Sequence, residues 1–598
     1  MQRFAALLLI ALVGGLVGLQ QMERSERTPN QGEGCLSCHR VEGKMDPAHP
    51  AEAFGCVTCH LGNSHAVEKR GAHHTMVRNP GDLRVVSRTC GKDACHPQEV
   101  NRVMNSVMTT NSGMLHSLYR LWDSQGPTTV AAVAAMGLEP RPPELDYFAK
   151  LCAGCHFWRP RQRGQGEYGL RGGGCSGCHV AELSREIESD WRVMEHAVLT
   201  RAVPMVNCVR CHNRSARIGL SYQGQYEDDG YGTPHVQGDV GDRNLSGGRH
   251  YLELPPDVHF TAGMICIDCH TARECMGDGR AHESLADQLE ITCADCHAPQ
   301  FETVSGLSLE ERNAAGANLN VPALDRGMVA RTGQGTLLYG LRQAESWFSG
   351  QATVLYRKFD GEPLALDLES STQPHHTLPG HERLSCQACH SPFMVQCQGC
   401  HVVLRRDGEQ QDKLLGEATS GRWREYRSRM RLLTPPLAVI QEGIIGPVSP
   451  CEVGVSVFNA QGEYLPASSV RGMTVSWFDP HSTQTRSRTC EDCHLDPKSL
   501  GLGSGRFVPG LETMVRHTVQ EGEVSDVLVD PGGNSEWRFN REGGRPFGQE
   551  EQQAILRVGP CLPCHGQYTD PVMREFPRAW ERLIRGEASE CSMAHNVP

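Results

Sequence analysis

The sequence predicts a chain that is mostly coil with short α-helices, and with β-hairpin inserts in its C-terminal half. Three features of the 598 residues lead to this prediction: a recurring cysteine and histidine motif, an aromatic content of only 6%, and 64 Gly with 35 Pro residues. A chain with few large side chains and many Gly and Pro residues has little material for an ordinary aliphatic core. We therefore expect that something other than side chains fills much of the interior.

The motif is a pair of cysteines followed directly by histidine, and it accounts for 24 of the 27 Cys residues. Eleven pairs read C-x-x-C-H, and in the twelfth Cys90 and Cys95 enclose four residues before His96. The paired cysteines are Cys35 and Cys38, Cys56 and Cys59, Cys90 and Cys95, Cys152 and Cys155, Cys175 and Cys178, Cys208 and Cys211, Cys266 and Cys269, Cys293 and Cys296, Cys386 and Cys389, Cys397 and Cys400, Cys490 and Cys493, and Cys561 and Cys564. The histidines that follow them are His39, His60, His96, His156, His179, His212, His270, His297, His390, His401, His494 and His565.

This spacing is that of covalent haem attachment. The two thiols add to the haem vinyl groups while the adjacent imidazole reaches the iron as the proximal ligand, so the porphyrin edge sets the spacing. The first cysteine has some freedom of position, and for this reason the longer loop after Cys90 is compatible with attachment. We predict about twelve haem c groups, which would also supply the missing apolar interior of a haem-wrapped fold.

Zinc is the main alternative, because paired Cys and His also form zinc knuckles and ribbons. A zinc site gathers four ligands from two half-sites and gives no reason for a His directly after every second Cys, so it remains an alternative mainly for the stretched motif. A disulfide framework leaves the adjacent histidines unexplained. The remaining Cys275, Cys451 and Cys591 are interpreted as buried thiols, with haem ligation, a disulfide half or a sulfur-substrate anchor as alternatives.

The histidines outside the motifs number 16, enough to give each of twelve irons a second axial imidazole. Bis-histidine ligation closes the iron to substrates and suits electron transfer. For any single histidine the alternative is a surface or hydrogen-bonding residue. The distal candidates each lie a short loop or helix from a motif, and they are His49, His196, His259, His282, His376 and His381.

The secondary-structure signals divide the chain in the same way as the motifs. Apolar residues repeat at helical spacing over 100–108 and 183–198, with their Met residues interpreted as packing against haem rather than as ligands. Three pairs of strand signals flank turns: 352–359 with 363–368, 451–458 with 473–478, and 524–529 with 536–539. The predicted segments are a signal peptide or N-terminal anchor at 1–25, a haem-dense module with eight haems at 30–300, a β-containing insert at 301–385, a closely spaced haem pair at 386–402, a β-rich insert at 403–489, and a C-terminal module with two haems at 490–598.

The first residues predict export. Arg3 precedes an uncharged apolar run from Phe4 to Leu19, which is typical of a secretory signal but short for a spanning helix. Because no convincing cleavage site follows, a retained anchor with membrane association is the alternative to cleavage. We expect a periplasmic or other extracytoplasmic location. The formal net charge of -12, with no basic patch, argues against nucleic acid as a partner.

The tandem motifs resemble those of the multihaem c-type cytochromes of anaerobic and metal- or sulfur-respiring bacteria. The segments HFTAGMICIDCH, HERLSCQACHSPFMVQCQGCH and RSRTCEDCH are the most similar. The resemblance implies covalent haem and axial ligation, but it does not imply a substrate. In the related pentahaem nitrite reductases Lys replaces the motif His at the catalytic haem, and this chain has no C-x-x-C-K. In octahaem hydroxylamine-oxidising relatives a Tyr is cross-linked to the active haem, and no such Tyr is identifiable among the 12 present.

Two functions follow from these observations. The favoured one is electron transfer in periplasmic or extracellular respiration, between redox partners such as a quinol-oxidising membrane complex, small cytochromes or a terminal reductase. It is favoured because every motif keeps its His, and because the 16 other histidines are enough to give each of twelve irons a second imidazole. The alternative is a multihaem oxidoreductase that acts on a small nitrogen, sulfur or selenium oxyanion at one open haem. The sequence assigns no catalytic residue.

The motif count predicts the mass of the exported protein. We expect intact mass spectrometry to find an excess of twelve haems over the polypeptide, about 0.6 kDa for each haem. An excess of eleven would direct attention to the stretched Cys90 motif, and an excess of eight or fewer would contradict the count.

Overall fold

The computed structural model describes residues 34–42, 48–137, 140–161, 169–180, 193–213, 218–227, 244–245, 249–309, 311–312, 319–346, 350–368, 374–503 and 527–587. The chain forms two compact units, Met1–Val100 with Gly173–Arg201, and Asn101–Gly172 with Ala202–Pro598. Four of the cysteine motifs belong to the first unit and eight to the second. The segment boundaries inferred from motif spacing stay predictions, as does the haem-wrapped fold class.

The described α-helices are short, and the longest is Ser112–Trp122 with 11 residues. The α-helices are Cys35–Cys38, Ala51–Phe54, Cys56–His60, Lys69–His73, Pro97–Asn105, Val107–Thr110, Ser112–Trp122, Val130–Ala135, Pro143–Tyr147, Ser176–His179, Met205–Val209, Ile218–Tyr222, Val258–Thr261, Cys266–Cys269, Ala272–Met276, Cys293–His297, Cys386–His390, Glu491–His494, Gln549–Leu556, Leu562–His565, Pro571–Arg574 and Phe576–Ile584. The helical repeat predicted over 100–108 falls within two of them. Among the described residues, we find no helix with the length and apolar character that crossing a membrane requires. The predicted signal or anchor at 1–25 lies outside these residues.

Sixteen strands are described, and they form four sheets. The strands are β1 Arg40–Glu42, β2 Val193–Glu195, β3 Gln225–Glu227, β4 Asn244–Leu245, β5 Arg249–Glu253, β6 Gln300–Thr303, β7 Met328–Arg331, β8 Leu337–Ser346, β9 Gly350–Tyr356, β10 Pro363–Leu366, β11 Met394–Gln411, β12 Ala418–Leu433, β13 Leu437–Val439, β14 Ile445–Phe458, β15 Val470–Trp477 and β16 Arg538–Phe539. In the first unit β1 and β2 form a parallel pair. The second unit contains a three-stranded sheet (β3-β5-β4), a five-stranded sheet (β10-β9-β8-β7-β6) and a six-stranded sheet (β12-β11-β14-β15-β16, with β13 on β14).

The five-stranded sheet is an antiparallel meander that supports two of the cysteine motifs. Its β9 and β10 form a hairpin at the place that the Asp360-Gly361 turn predicts, and Gly361 has a φ of 80° there. The buried residues Ala330, Leu338 and Leu341 of the sheet pack with Met264, and the partly buried Cys269 and Cys296 lie against the same cluster. This apolar face therefore fixes the position of the motif helices Cys266–Cys269 and Cys293–His297.

The six-stranded sheet corrects several sequence-based expectations. The strands predicted at 451–458 and 473–478 are parts of the longer β14 and β15, which pair in antiparallel register. Of the strand predicted at 536–539, only Arg538–Phe539 forms a strand, β16, which pairs in parallel with β15. In the predicted partner segment 524–529, Val527 bridges to Leu502 instead, and 524–526 lie outside the described residues. The long pair β11 and β12 was not predicted.

The helix predicted over 183–198 is wrong at Met194. That residue lies in β2, where the backbone pairs with Val41 of β1. Residues 181–192 of the predicted helix lie outside the described part of the chain. The inter-strand hydrogen bonds, which the local pattern does not encode, decide the conformation here.

A buried ion pair joins the segment before the Cys152 motif to β12. Lys150, which is 0% exposed, lies 3.0 Å from Asp146 and donates hydrogen bonds to the carbonyl oxygens of Ser420 and Gly421. Asp146 also accepts a 2.8 Å hydrogen bond from the indole of Trp423. Arg406 lies 3.9 Å from the same carboxylate, so the buried Asp146 is compensated mainly by the nearer Lys150.

The substitution Lys150→Met tests this dependence. It removes the nearer of the two cations beside the buried Asp146 carboxylate and leaves only Arg406, 3.9 Å away, so we expect the free energy of unfolding to fall by about 3 kcal/mol in guanidinium titrations of the protein. The control is Arg578→Met, at a side chain that is 81% exposed, which should change this free energy by less than about 0.5 kcal/mol. Equal stability of Lys150→Met and wild type would contradict the role of the ion pair.

Candidate cofactor-binding sites

A single turn of helix shapes most of the cysteine motifs. In five of them the backbone N–H of the histidine donates to the carbonyl oxygen of the first cysteine, at 2.9 to 3.0 Å. These bonds are His39 to Cys35, His179 to Cys175, His212 to Cys208, His270 to Cys266 and His494 to Cys490. Because positions three and four apart share one face of a helix, the turn brings the two thiols and the imidazole to the same side.

The stretched motif closes with the same bond. The N–H of His96 donates to the carbonyl oxygen of Cys90 at 2.9 Å, although two more residues lie between them than in the other motifs. The hydroxyl of Thr89 donates to the carbonyl oxygen of Pro80 at 2.5 Å and secures the start of this loop. The extra residues are therefore accommodated between ends that meet as in the regular motifs.

The motif at 397–401 has a different backbone. It lies inside β11, where Cys397 pairs with Met430 of β12 and Cys400 pairs with Val453 of β14. Positions three apart in a strand belong to opposite faces of the sheet, unlike positions three apart in a helical turn. The extended conformation is stabilised by ladders on both sides, and it sets this motif apart from the other eleven.

Seven motif histidines each lie opposite a histidine from outside the motifs. The ring centroids in these pairs are separated by 5.8 to 6.2 Å. The pairs are His39 with His73, His96 with His49, His60 with His196, His297 with His259, His270 with His481, His390 with His376, and His494 with His381. The first three pairs belong to the first unit and the other four to the second.

The spacing of these pairs suits an ion between the rings. A metal bond to an imidazole nitrogen is about 2 Å long and the ring centre lies about 1 Å beyond that nitrogen, so an iron between two imidazoles separates their centroids by about 6 Å. Direct ring stacking would not require so constant a separation in pairs whose interplanar angles range from 17° to 87°. The separation of the paired rings therefore matches that of two imidazoles bound to one metal ion.

Hydrogen bonds at Nδ1 orient most of the paired rings. The Nδ1 atoms of His60, His73, His196, His481 and His494 lie 2.7 to 2.9 Å from main-chain carbonyl oxygens. Those of His259 and His270 lie 2.8 and 2.9 Å from the carboxylates of Asp257 and Glu274. An acceptor at Nδ1 fixes the proton on that nitrogen and leaves Nε2 with its lone pair for a metal.

Five of the six predicted distal histidines lie in these pairs, namely His49, His196, His259, His376 and His381. The sixth, His282, differs because its Nε2 lies 3.0 Å from the Asp278 carboxylate. Sequence reasoning missed His73 and His481, which are distant in sequence from the motifs of their partners. Their assignment as iron ligands stays a prediction.

His375 belongs to the same cluster as one of the pairs. Ligand atoms of His375, His376 and His390 all lie within 4.8 Å of one another, and the His375 ring also contacts Tyr568 at a centroid distance of 5.3 Å. His375 is thus a second imidazole near the His390 motif.

The other motif histidines have varied surroundings. His156 is 4% exposed, and burial lowers its pKa to about 4, so the ring is neutral. The Nδ1 atoms of His179 and His565 lie 2.9 Å from the Thr200 carbonyl oxygen and 3.1 Å from the Asp570 carboxylate. His401 lies 3.0 Å from the Ser456 hydroxyl through Nε2.

Thiols of different motifs approach one another in the second unit. A hydrogen bond with Cys386 raises the pKa of Cys293, and the same bond lowers the pKa of Cys386 to about 6. A hydrogen bond with the Cys208 thiol lowers the pKa of Cys266 in a similar way. The Cys490 sulfur lies 4.0 Å from the Gly566 carbonyl oxygen, directly after His565. Cysteine motifs that are distant in sequence are therefore neighbours in space.

Two of the three cysteines outside the motifs lie in described secondary structure. Cys275 lies on the helix Ala272–Met276 and Cys451 lies in β14, whereas Cys591 lies outside the described residues. Their interpretation as buried thiols stays a prediction.

Comparison with protein-family models, curated proteins and solved structures finds no match to this chain.

Proposed function

We propose that this chain is a dodecahaem c-type cytochrome that transfers electrons in periplasmic or extracellular respiration. The observation that carries the proposal is the set of seven imidazole pairs at 5.8 to 6.2 Å. Two imidazoles on one iron leave no position for a substrate and keep the geometry constant between oxidation states. Sites of this kind suit an electron carrier.

The residues of the chain fit the group that the proposal requires. Each cysteine pair would form the two thioether bonds, the motif histidine would be the proximal ligand and the opposite histidine the distal ligand. Haem supplies one-electron redox chemistry when bound, while the chain orients most of the paired imidazoles through hydrogen bonds at Nδ1. The fit is weakest at 397–401, where the backbone is extended.

Neighbouring attachment positions support transfer between sites. In the second unit the Cys208 motif adjoins the Cys266 motif, the Cys293 motif adjoins the Cys386 motif, and the Cys490 sulfur lies next to the end of the Cys561 motif. In the first unit, burial raises the pKa of Cys175 to about 12 with a further contribution from nearby Cys90. Because electron tunnelling weakens steeply with distance, such adjacency is what a chain of carriers requires.

The proposed partners are other redox proteins: a quinol-oxidising membrane complex, small cytochromes or a terminal reductase. Membrane association would depend on the N-terminal segment.

A second candidate is an oxidoreductase for a small nitrogen, sulfur or selenium oxyanion at one open haem. The surroundings of the Cys152 motif favour it. Arg171 points a guanidinium nitrogen to within 3.8 Å of the Cys155 sulfur, and Arg159 donates to the Gly154 carbonyl oxygen at 3.4 Å. Cationic groups beside a buried, neutral His156 would attract an oxyanion, although they would equally suit haem propionates.

Ligand binding and turnover by the holoprotein decide between the two candidates. We expect a fully low-spin ferric spectrum that cyanide does not alter, and non-saturating oxidation of the reduced protein by unrelated acceptors. One tight cyanide site together with saturable turnover of nitrite, hydroxylamine or tetrathionate would replace the carrier function with the enzymatic one.

The histidine pairs predict which ligands matter. His259→Ala should convert one low-spin haem to an open haem that binds cyanide, with unchanged covalent haem content, because the imidazole opposite His297 is lost.

The matched control is His282→Ala. Its Nε2 is engaged with Asp278, so this variant should keep the spectrum of the wild type. An open haem in the control, or none in His259→Ala, would contradict the ligand assignment.

A further inference from the structure

We propose that two buried carboxylates, Glu274 and Asp257, lower the reduction potentials of the iron sites at His270 and His297 relative to sites whose histidines bond to main-chain carbonyl groups. This inference rests on the proposed electron-transfer function and adds two positioning residues to it.

Glu274 lies behind the His270 ring. Its Oε2 is 2.9 Å from His270 Nδ1 and also accepts a hydrogen bond from the N–H of Thr271. Its Oε1 accepts two bonds of 2.6 Å from the N–H groups of Glu290 and Ile291. The side chain is 2% exposed, and these donors compensate a full negative charge that water does not reach.

Asp257 plays the same part for His259, which lies opposite His297. Its Oδ1 lies 2.8 Å from His259 Nδ1, and the residue as a whole is 2% exposed. Its Oδ2 accepts a 2.7 Å bond from the N–H of Thr483, and the carbonyl oxygen of Thr483 accepts from the N–H of Val258. Thr483 lies two residues after His481, whose ring lies opposite that of His270. The Asp257 carboxylate therefore contacts His259 directly and is linked through Thr483 to the segment that carries His481.

A carboxylate at Nδ1 affects the metal through the ring. It draws the Nδ1 proton towards itself, raises the basicity of the ligating nitrogen and strengthens its bond to the more positive metal. The buried negative charge also favours ferric iron, which carries one more positive charge than ferrous iron. A neutral carbonyl oxygen, such as that of Val77 at His60 or Ile555 at His494, has a smaller effect.

The two affected sites adjoin each other. Cys269 and Cys296, one from each motif, lie against the same apolar cluster of the five-stranded sheet. The Cys266 and Cys293 motifs therefore form a contiguous low-potential pair, which would be reduced after, and oxidised before, a site such as that of His494, whose Nδ1 bonds to a main-chain carbonyl oxygen.

The test is a potentiometric titration of the holoprotein with the variant Glu274→Gln, followed by optical spectra and electron paramagnetic resonance. In Glu274→Gln, we expect about one-twelfth of the total haem absorbance change to occur at a higher potential than in the wild type. The haem content and the low-spin signals should stay constant. Asp257→Asn should move a second fraction of similar size, and Glu274→Asp, which keeps the charge, should restore most of the original curve.

The control is Asp278→Asn, a carboxylate that faces Nε2 of His282 and should leave the curve unchanged. Curves for Glu274→Gln and Asp257→Asn that superimpose on the wild type would overturn the inference and leave the carrier function intact. If Glu274→Gln does not fold, Asp257→Asn alone decides. A wild type that lacks reversible low-spin haem reduction would instead refute the proposed function.

Discussion

The orientation of imidazole rings by hydrogen bonds at Nδ1 is the constraint on which the candidate sites depend. A ring that is fixed at one nitrogen presents the other in a defined direction, and two such rings about 6 Å apart define an axis for a metal. Two of the acceptors come from parts of the chain that are distant from the histidine, namely Val77 for His60 and Ile555 for His494. The loops that carry these carbonyl groups are therefore as necessary to the sites as the histidines are.

The sheets of the second unit supply the rigidity that short helices lack. A helix of four or five residues is not stable alone, and its position depends on the surface against which it packs. The five-stranded sheet provides that surface for Cys269 and Cys296. At the start of another motif helix, the backbone N–H of Ser385 donates a hydrogen bond to the Ile445 carbonyl oxygen of β14. The β-structure thus serves as a frame for the motifs.

The sequence predicted local features well and long-range pairing poorly. The Asp360-Gly361 turn located a hairpin, because a tight turn is encoded within a few residues. Nearness in sequence also led to His259 and His381, but it failed for His481, which a distant loop brings to His270. At His282 the nearby Asp278 was a signal for a hydrogen-bonded side chain that sequence reasoning overlooked. The pairing of β11 with β12, which includes a motif, depends on partners that no local pattern identifies.

The contact between Cys293 and Cys386 has a consequence for how the protein is assembled. Two thiols within hydrogen-bonding range, one of them readily ionised, are well placed to form a disulfide by exchange with an external disulfide, which is thereby reduced to two thiols. A cross-link there would consume one cysteine from each of two motifs and block both from their cofactors. If the chain is exported and carries haem as proposed, its biogenesis would require that a reductant keep these thiols free, or that attachment at one of the two motifs precede their approach during folding.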